Sequence, residues 1–228
     1  MSSIENVENN PNLNNAKTVT IMRRVLETND QNAVANRREF DAKGVLAINL
    51  MSSPGSGKTT LLEATAKAAD FKFAVIEGDM ETNRDAERLA KLGVQAYQIT
   101  TGTACHLEAD MVRDAMGKME LGGLDVVFIE NVGNLVCPAS YELGSHINVA
   151  LISTPEGDDK VLKYPVMFRA VDLALITKVE LAGLFDFSVD RVVSEAKRLK
   201  PEIETIALSA KTGEGVDRWL SFIKSRLS

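Results

Sequence analysis

Apolar runs of strand length alternate with amphipathic, helix-length segments from residue 45 to the end of the chain. The runs are nearly continuous in apolar residues, as expected for strands that are covered on both faces. Strands are predicted at Val45–Leu50, Phe73–Glu77, Val94–Ile99, Val126–Glu130, Val149–Ser153, Leu173–Thr177 and Ile203–Leu208. Helices are predicted at Lys58–Ala68, Asn83–Leu92, Leu107–Met119, Val189–Leu199 and Asp217–Arg226. This order predicts a three-layer α/β fold with a mainly parallel sheet and helices on both faces.

The amino-terminal part of the chain has a different pattern. Residues 1–16 are rich in Asn, Ser and Glu and lack the apolar residues of a core, so we predict a disordered tail. Residues 17–43 carry apolar side chains at helical spacing, which predicts a helical extension packed on the main domain or on a partner. These apolar side chains are Val19, Met22, Val25 and Leu26. Residues 44–228 form the predicted main domain.

Composition and charge narrow the class of partner. The chain has 228 residues and a formal net charge of -6, which argues against a nucleic acid held by bulk electrostatics. It has neither a polybasic run nor an apolar stretch of membrane-spanning length, so no membrane partner is expected. Two cysteines do not make a disulfide framework, and no signal-peptide pattern opens the sequence. We therefore expect a cytoplasmic protein.

The strongest local signal is the stretch from Ser52 to Thr59, which follows an apolar strand and opens a helix. This is the context of a Walker A phosphate loop, and Ser52 stands where the first glycine is usual. Gly55 and Gly57 allow backbone N–H groups to turn toward phosphate oxygens, Lys58 would reach the β- and γ-phosphates, and Thr59 would ligate Mg²⁺. A glycine-rich turn without a ligand is the alternative, and the Gly-Lys-Thr-Thr ending argues against it. The predicted phosphate-binding residues are Gly55, Ser56, Gly57, Lys58, Thr59 and Thr60.

Two acidic residues stand at predicted strand ends. Right-handed crossovers bring the carboxyl ends of parallel strands to one edge of the sheet, so Asp79 and Glu130 should lie near the phosphate loop. Both are candidate ligands of the Mg²⁺ that phosphoryl transfer needs. Glu130 also opens a variant of the Asp-x-x-Gly segment of GTPases, in which the Gly133 N–H binds the γ-phosphate. A helix cap or a solvated strand end is the alternative for either carboxylate.

The purine base has two candidate contacts. Thr177, Lys178 and Glu180 occupy the place of the GTPase Asn-Lys-x-Asp motif, with Glu180 offering two carboxylate oxygens to guanine and Thr177 lacking the amide that usually braces the loop. A second segment follows the last predicted strand, where a backbone N–H normally meets guanine O6; it consists of Ser209, Ala210 and Lys211. Together they favour GTP over ATP.

Both cysteines lie on the predicted ligand edge. Cys105 and His106 sit before a predicted helix, and Cys137 lies a few residues beyond Gly133. Thiolate and imidazole suit Ni²⁺ or Zn²⁺, and a cysteine at a helix N-terminus would have a lowered pKa. Three ligands leave the site open or completed by a second subunit, with Asp110 and His146 as further candidates. Small buried hydrophobic cysteines are the alternative.

Three runs resemble the HypB family of hydrogenase nickel-insertion GTPases: Gly102–Ala109, Ile129–Pro138 and Pro155–Pro165. The resemblance extends from about residue 20 to the end. It implies a P-loop GTPase of slow turnover that dimerises with GTP and binds nickel or zinc at the subunit interface. The ligands would correspond to Cys105, His106 and Cys137. It also implies delivery of nickel to a [NiFe]-hydrogenase large subunit, with help from a small zinc-containing partner, HypA.

The sequence departs from the family in several places. It lacks an amino-terminal Cys-x-x-Cys motif and a His-rich stretch, and Glu180 stands where the family normally has Asp.

The hypothesis is that the γ-phosphate fixes the segment from Asn131 to Cys137 and drives dimerisation, so that two copies of the ligands form the metal site. Lys160 or Lys163 could reach a phosphate across the dimer. A P-loop kinase and a nickel-holding scaffold with a vestigial nucleotide site are the competing functions.

Overall fold

The computed structural model describes residues 16–79 and 84–227, with side chains for residues 25–79 and 85–227. Its sheet has seven strands: β1 Leu46–Ser52, β2 Phe73–Asp79, β3 Gln95–Thr100, β4 Val126–Glu130, β5 Ile147–Ser153, β6 Leu173–Thr177 and β7 Glu204–Ala207. Their order in the sheet is β3-β2-β4-β1-β5-β6-β7, and all neighbouring strands run parallel. The predicted α/β fold is therefore confirmed.

Helices cover both faces of this sheet. Leu61, Leu89 and Trp219 pack on one face, whereas Phe40 and Val112 pack on the opposite face beside β2 and β4. Each face is therefore closed by a helical layer, which is why the strands are apolar on both sides. The helices are α1 Ala16–Lys43, α2 Lys58–Ala68, α3 Arg84–Ala90, α4 Ala109–Met116, α5 Lys160–Lys163, α6 Pro165–Ala170, α7 Val189–Leu199 and α8 Val216–Lys224. In the described part of the chain, no helix combines the length and apolarity needed to cross a bilayer.

Helix α1 is one continuous helix that lies against the sheet and α4. Its buried residues recur three and four positions apart, as expected for a helix with one packed face. They are Leu26, Asn29, Ala33, Asn36 and Phe40. The predicted tail lies outside the described residues, apart from residue 16, and so do the side chains of Val19 and Met22. The division at residues 16 and 43 stays a prediction.

Eight of the twelve predicted strands and helices differ from the observed elements by one to three residues at one or both ends. Three of these differences have a physical reason that is visible in the structure. Strand β2 runs two residues beyond Glu77 because Gly78 and Asp79 still pair with β3. The helix predicted from Leu107 begins at Ala109, because Glu108, with φ of -108° and ψ of 159°, is still extended. The last helix begins one residue earlier than predicted, at Val216, after Gly215 with φ of 72°.

Candidate nucleotide and metal site

The phosphate loop connects β1 to α2 at the carboxyl edge of the sheet. Gly55 and Gly57 adopt φ of 73° and 97°, a region that L side chains rarely occupy. Helix α2 begins at Lys58, and the Lys58 Nζ donates to the Ser52 Oγ over 2.9 Å. Burial lowers the pKa of Lys58, while the charge of Glu130 opposes that shift. Ser52, which replaces the usual first glycine, thus holds the buried lysine through its hydroxyl.

A cavity of about 340 Å³ opens beside this loop. Most of the predicted phosphate and Mg²⁺ residues line it, and so do three charged residues that the sequence analysis did not single out. The predicted residues among its lining are Gly55, Gly57, Lys58, Thr59, Thr60, Asp79, Glu130, Gly133 and Lys178. The additional charged residues are Glu77, Asp85 and Arg88. The strand ends of β1, β2 and β4 therefore meet at one site, as the topology predicts.

Carboxylates converge beneath the Thr59 hydroxyl. This hydroxyl lies 3.0 Å from Glu130 Oε1 and 3.0 Å from Asp85 Oδ2. Glu77 is the register partner of Glu130 on the neighbouring strand, and both are buried. Burial and the charge of Glu130 raise the pKa of Glu77 to about 8. Burial raises the pKa of Glu130 to about 7, and the charge of Lys58 limits this shift.

This donor set fits a divalent cation. Within the described residues, Glu77 Oε2 and Glu130 Oε2 are buried without a hydrogen-bond partner, and orphaned carboxylate oxygens of this kind are costly unless a cation or proton satisfies them. The predicted Mg²⁺ ligands Thr59, Asp79 and Glu130 line the same cavity, and their role as ligands stays a prediction. Bound Mg²⁺ would supply charge neutralisation for phosphate oxygens. The raised pKa values mean that the pair retains protons near neutral pH without a cation.

The segment after Glu130 lies directly against the phosphate loop. A Cβ added at Gly133 would come within 2.9 Å of the Pro54 backbone, so only glycine permits this approach. The Asn131 N–H donates to the Leu50 carbonyl over 3.0 Å, which fixes the segment to β1. Gly133 therefore lies against the phosphate loop, and its contact with a γ-phosphate stays a prediction.

The predicted base-binding loop is tied to the phosphate loop by two side chains. The Thr177 hydroxyl donates to the Ser56 carbonyl over 2.7 Å, and the Lys178 Nζ donates to the Gly55 carbonyl over 2.7 Å. Lys178 has φ of 59°, in the left-handed region that residues other than glycine rarely adopt. Thr177 thus braces the loop through its hydroxyl, although it lacks the asparagine amide.

The remaining base-site candidates lie beside this loop. Glu180 belongs to a 3-10 turn, Val179–Leu184, and one of its carboxylate oxygens is buried without a partner in the described part of the chain. The Val179 N–H donates to the Leu208 carbonyl over 3.3 Å, which places the Ser209-Ala210-Lys211 segment next to Glu180 in the fold. Ser209 is buried, and Lys211 is exposed.

Glu156 makes a further contact with the phosphate loop, which no sequence pattern indicated. Its Oε2 accepts from the Ser56 hydroxyl over 2.7 Å, from the Ser153 hydroxyl over 2.6 Å and from the Ser153 N–H over 2.8 Å. Burial would raise the pKa of this carboxyl, but the hydrogen bonds outweigh it and lower the pKa. Glu156 is therefore an anionic brace of Ser56.

Cys105, His106 and Cys137 come together although 32 positions separate the two cysteines. The two Sγ atoms are 2.9 Å apart, and Cys105 Sγ lies 3.6 Å from His106 Nδ1. All three possible ligand atoms lie within 4.8 Å of one another. Burial lowers the pKa of His106, which favours the neutral imidazole that a metal requires. A sulfur–imidazole cluster therefore lies at the edge where the sequence predicts a nickel or zinc site.

Comparison with known proteins decides the family. The family model "CobW/HypB/UreG, nucleotide-binding domain" matches residues 46–207. The chain is 48% identical over 230 residues to the hydrogenase/urease maturation factor HypB of Helicobacter hepaticus, an alignment that covers 99% of this chain and 95% of that protein. The chain belongs to the HypB family.

Solved structures of the HypB family share this fold. The crystal structure of HypB from Helicobacter pylori in complex with nickel is 47% identical, with a TM-score of 0.85, and covers 87% of this chain and 94% of that chain. HypB from Archaeoglobus fulgidus is 37% identical, with a TM-score of 0.83, and covers 89% of this chain and 100% of that chain. The resemblance stated from the sequence is therefore confirmed.

Two expectations about the sulfur–imidazole cluster of this HypB-family chain were wrong. Cys105 does not stand at an α-helix N-terminus, because α4 begins four residues beyond it, and burial together with the hydrogen bond to Cys105 raises the pKa of Cys137. His146 is not a further ligand, because its Nδ1 accepts from the Ala47 N–H over 2.9 Å and its Nε2 pairs with Asp41 at 2.8 Å.

Asp110 and the two candidate lysines also have local partners. Asp110 lies outside the cluster, and its Oδ1 accepts from the Met111 N–H over 2.7 Å. Lys163 pairs with Asp159 at 2.6 Å, and the Lys160 ammonium lies 5.7 Å from the Tyr164 ring centroid. Both lysines belong to the short helix α5, and their proposed reach to a second subunit stays a prediction.

Proposed function

We propose that this chain is a GTP-hydrolysing nickel metallochaperone of [NiFe]-hydrogenase maturation. One observation carries the proposal: a single short segment contacts the phosphate loop at Gly133 and, four residues further along, bears Cys137 of the sulfur–imidazole cluster. A change at the terminal phosphate would therefore alter the position of a metal ligand. The proposal draws further support from the nickel complex of the Helicobacter pylori relative.

In this proposal, each group of residues at the cavity has a separate role in GTP binding and hydrolysis. Lys58 and the loop N–H groups stabilise charge on the phosphates, and Gly133 donates its N–H to the γ-phosphate. Thr59, Asp79 and Glu130 hold Mg²⁺. Glu180 and the Ser209–Lys211 segment select guanine, and the Thr177 and Lys178 contacts keep the base loop at a fixed distance from the phosphate loop.

Nickel is the cargo, and Zn²⁺ is the competing ion. Two thiolates and one imidazole are a donor set for borderline divalent cations, and three ligands leave a position for a fourth donor. We propose that a second copy of the chain completes the site when GTP is bound. Release would follow hydrolysis, with a HypA-like zinc-containing chaperone and the hydrogenase large subunit as cytoplasmic partners.

Separation of the two sites by mutation tests this proposal. Lys58→Ala should abolish phosphate release from GTP, whereas the exposed Lys72→Ala control should hydrolyse GTP at the wild-type rate. Cys137→Ala should weaken Ni²⁺ binding and remove part of the thiolate-to-nickel absorption. Sedimentation in the four combinations of nucleotide and Ni²⁺ then measures dimerisation. Equal GTP hydrolysis by wild type and Lys58→Ala would contradict the enzymatic part, and no Ni²⁺ binding by wild type would contradict the metal part.

A further inference from the structure

Two asparagines flank Gly133, and both bind the backbone of the loop that carries Cys105 and His106. Asn131 Oδ1 accepts from the Leu107 N–H over 3.1 Å, immediately after His106. Asn134 Nδ2 donates to the Cys105 carbonyl over 3.3 Å. The two bonds lie on either side of His106, at the Cys105 carbonyl before it and at the Leu107 N–H after it. We call Asn131 and Asn134 the asparagine clamp.

The two clamp side chains also bind the backbone of their own segment, which meets the phosphate loop at Gly133. Asn131 Oδ1 also accepts from the Val132 N–H over 3.0 Å, and Asn134 Oδ1 accepts from the Val136 N–H over 2.8 Å. Asn131 is almost completely buried, so its amide has little freedom to reorient. A displacement of Gly133 would therefore move both amides together with the backbone.

The far side of the same loop is held by α1, which does not line the nucleotide cavity. The Ala109 N–H donates to Asn29 Oδ1 over 2.9 Å, and Asn36 Nδ2 donates to the Ala109 carbonyl over 2.7 Å. The same two side chains donate to the carbonyls of Glu142 and Leu143, at 2.8 and 3.1 Å. The loop that carries Cys105 and His106 is thus held at Ala109 by α1 and at Cys105 and Leu107 by the two clamp asparagines.

We propose that Asn131 and Asn134 are positioning residues that transmit the state of the terminal phosphate to Cys105 and His106. Both arms of the metal site would then respond to the nucleotide, whereas the covalent route along the segment reaches Cys137 alone. This inference rests on the proposed function, because it requires that GTP and nickel bind to the sites described above. Asn29, in α1, is a static anchor of the same loop.

The test is the ratio of Ni²⁺ dissociation constants measured with GDP and with a non-hydrolysable GTP analogue, by competition with a chromogenic chelator. Asn131→Ala and Asn134→Asp should each bring this ratio about fivefold closer to one, the size expected for one lost neutral hydrogen bond. Asn134→Asp keeps the oxygen that accepts from Val136 but loses the donor to Cys105. Asn29→Ala, the matched control, should weaken Ni²⁺ binding equally with both nucleotides and leave the ratio unchanged.

The outcomes separate the two proposals. If wild type shows the same Ni²⁺ affinity with both nucleotides, the coupling in the proposed function is wrong. If wild type shows a difference and both clamp variants keep it, the clamp does not transmit and this inference is overturned. Asn134 is partly exposed, so Asn134→Asp decides the question by itself if Asn131→Ala fails to fold. An equal loss of the ratio in Asn29→Ala would also overturn the inference.

Discussion

The buried carboxylates at the cavity predict a stability that depends on pH in the direction opposite to that of an ordinary salt bridge. Glu77 has a pKa of about 8 in the folded chain, against 4.5 for the free side chain. Between these values the folded chain binds a proton that the unfolded chain lacks. The free energy of unfolding therefore falls as the pH rises through this window.

The magnitude follows from proton linkage. One group that titrates near 8 when folded and near 4.5 when unfolded loses about 2 kcal/mol of stability between pH 6 and pH 8. Glu130, at about 7, contributes about 1 kcal/mol in the same direction. Glu77→Gln mimics the protonated form, so it should remove the larger contribution and flatten the pH dependence by about 2 kcal/mol over this interval.

The assay is urea unfolding at pH 6, 7 and 8 in a chelator and without nucleotide. Trp219, the one tryptophan of the chain, is fully buried and reports unfolding through its fluorescence. Glu202→Gln, at an exposed glutamate, is the control, and its free energy of unfolding should change with pH as steeply as that of the wild type. Saturating Mg²⁺–GDP should reduce the wild-type slope, because a cation stabilises the ionised pair. An unchanged slope in Glu77→Gln would refute the reasoning.

Three further variants test other contacts of the site. Gly133→Ala places a Cβ 2.9 Å from the Pro54 backbone and should destabilise the chain by about 1–3 kcal/mol in urea unfolding and weaken nucleotide binding. Glu156→Ala removes the carboxylate that accepts from the Ser153 hydroxyl and N–H and from the Ser56 hydroxyl, and should cost about 2–3 kcal/mol, more than Glu156→Gln, which offers an amide oxygen. Thr177→Val should lower fluorescent-GDP affinity about fivefold, and wild-type affinity would contradict its bracing role.

The phosphate loop and the base loop could be predicted from the sequence because their chemistry is local. A strand, two glycines and Lys58 follow one another, and the parallel sheet brings Glu130 to the same edge. The helix from Lys58 to Ala68 and the strand from Val126 to Glu130 also have their predicted bounds. Apart from Glu130, which the parallel sheet brings to the loop, the residues that define each feature are neighbours in the chain.

The contacts that sequence patterns did not reveal connect distant segments through single side chains. Glu156 reaches Ser56 across 100 positions, and Asp85 reaches Thr59 across 26. Glu77 left one signal, a charged residue inside an otherwise apolar strand, but its interest depends on Glu130 in the adjacent strand. No spacing rule places Asn131 against Leu107, because that bond depends on how two loops approach each other.

Thermodynamic linkage provides the most direct test of the account, which holds that one segment serves both the terminal phosphate and the metal. If the GTP analogue changes Ni²⁺ affinity by some factor, Ni²⁺ must change the affinity for the analogue by the same factor. The measurement is analogue affinity with and without saturating Ni²⁺, with GDP affinity measured in parallel. We predict that Ni²⁺ shifts the ratio of the two nucleotide affinities by about fivefold or more, because about fivefold is the effect of a single neutral hydrogen bond. A ratio that Ni²⁺ leaves unchanged would contradict it.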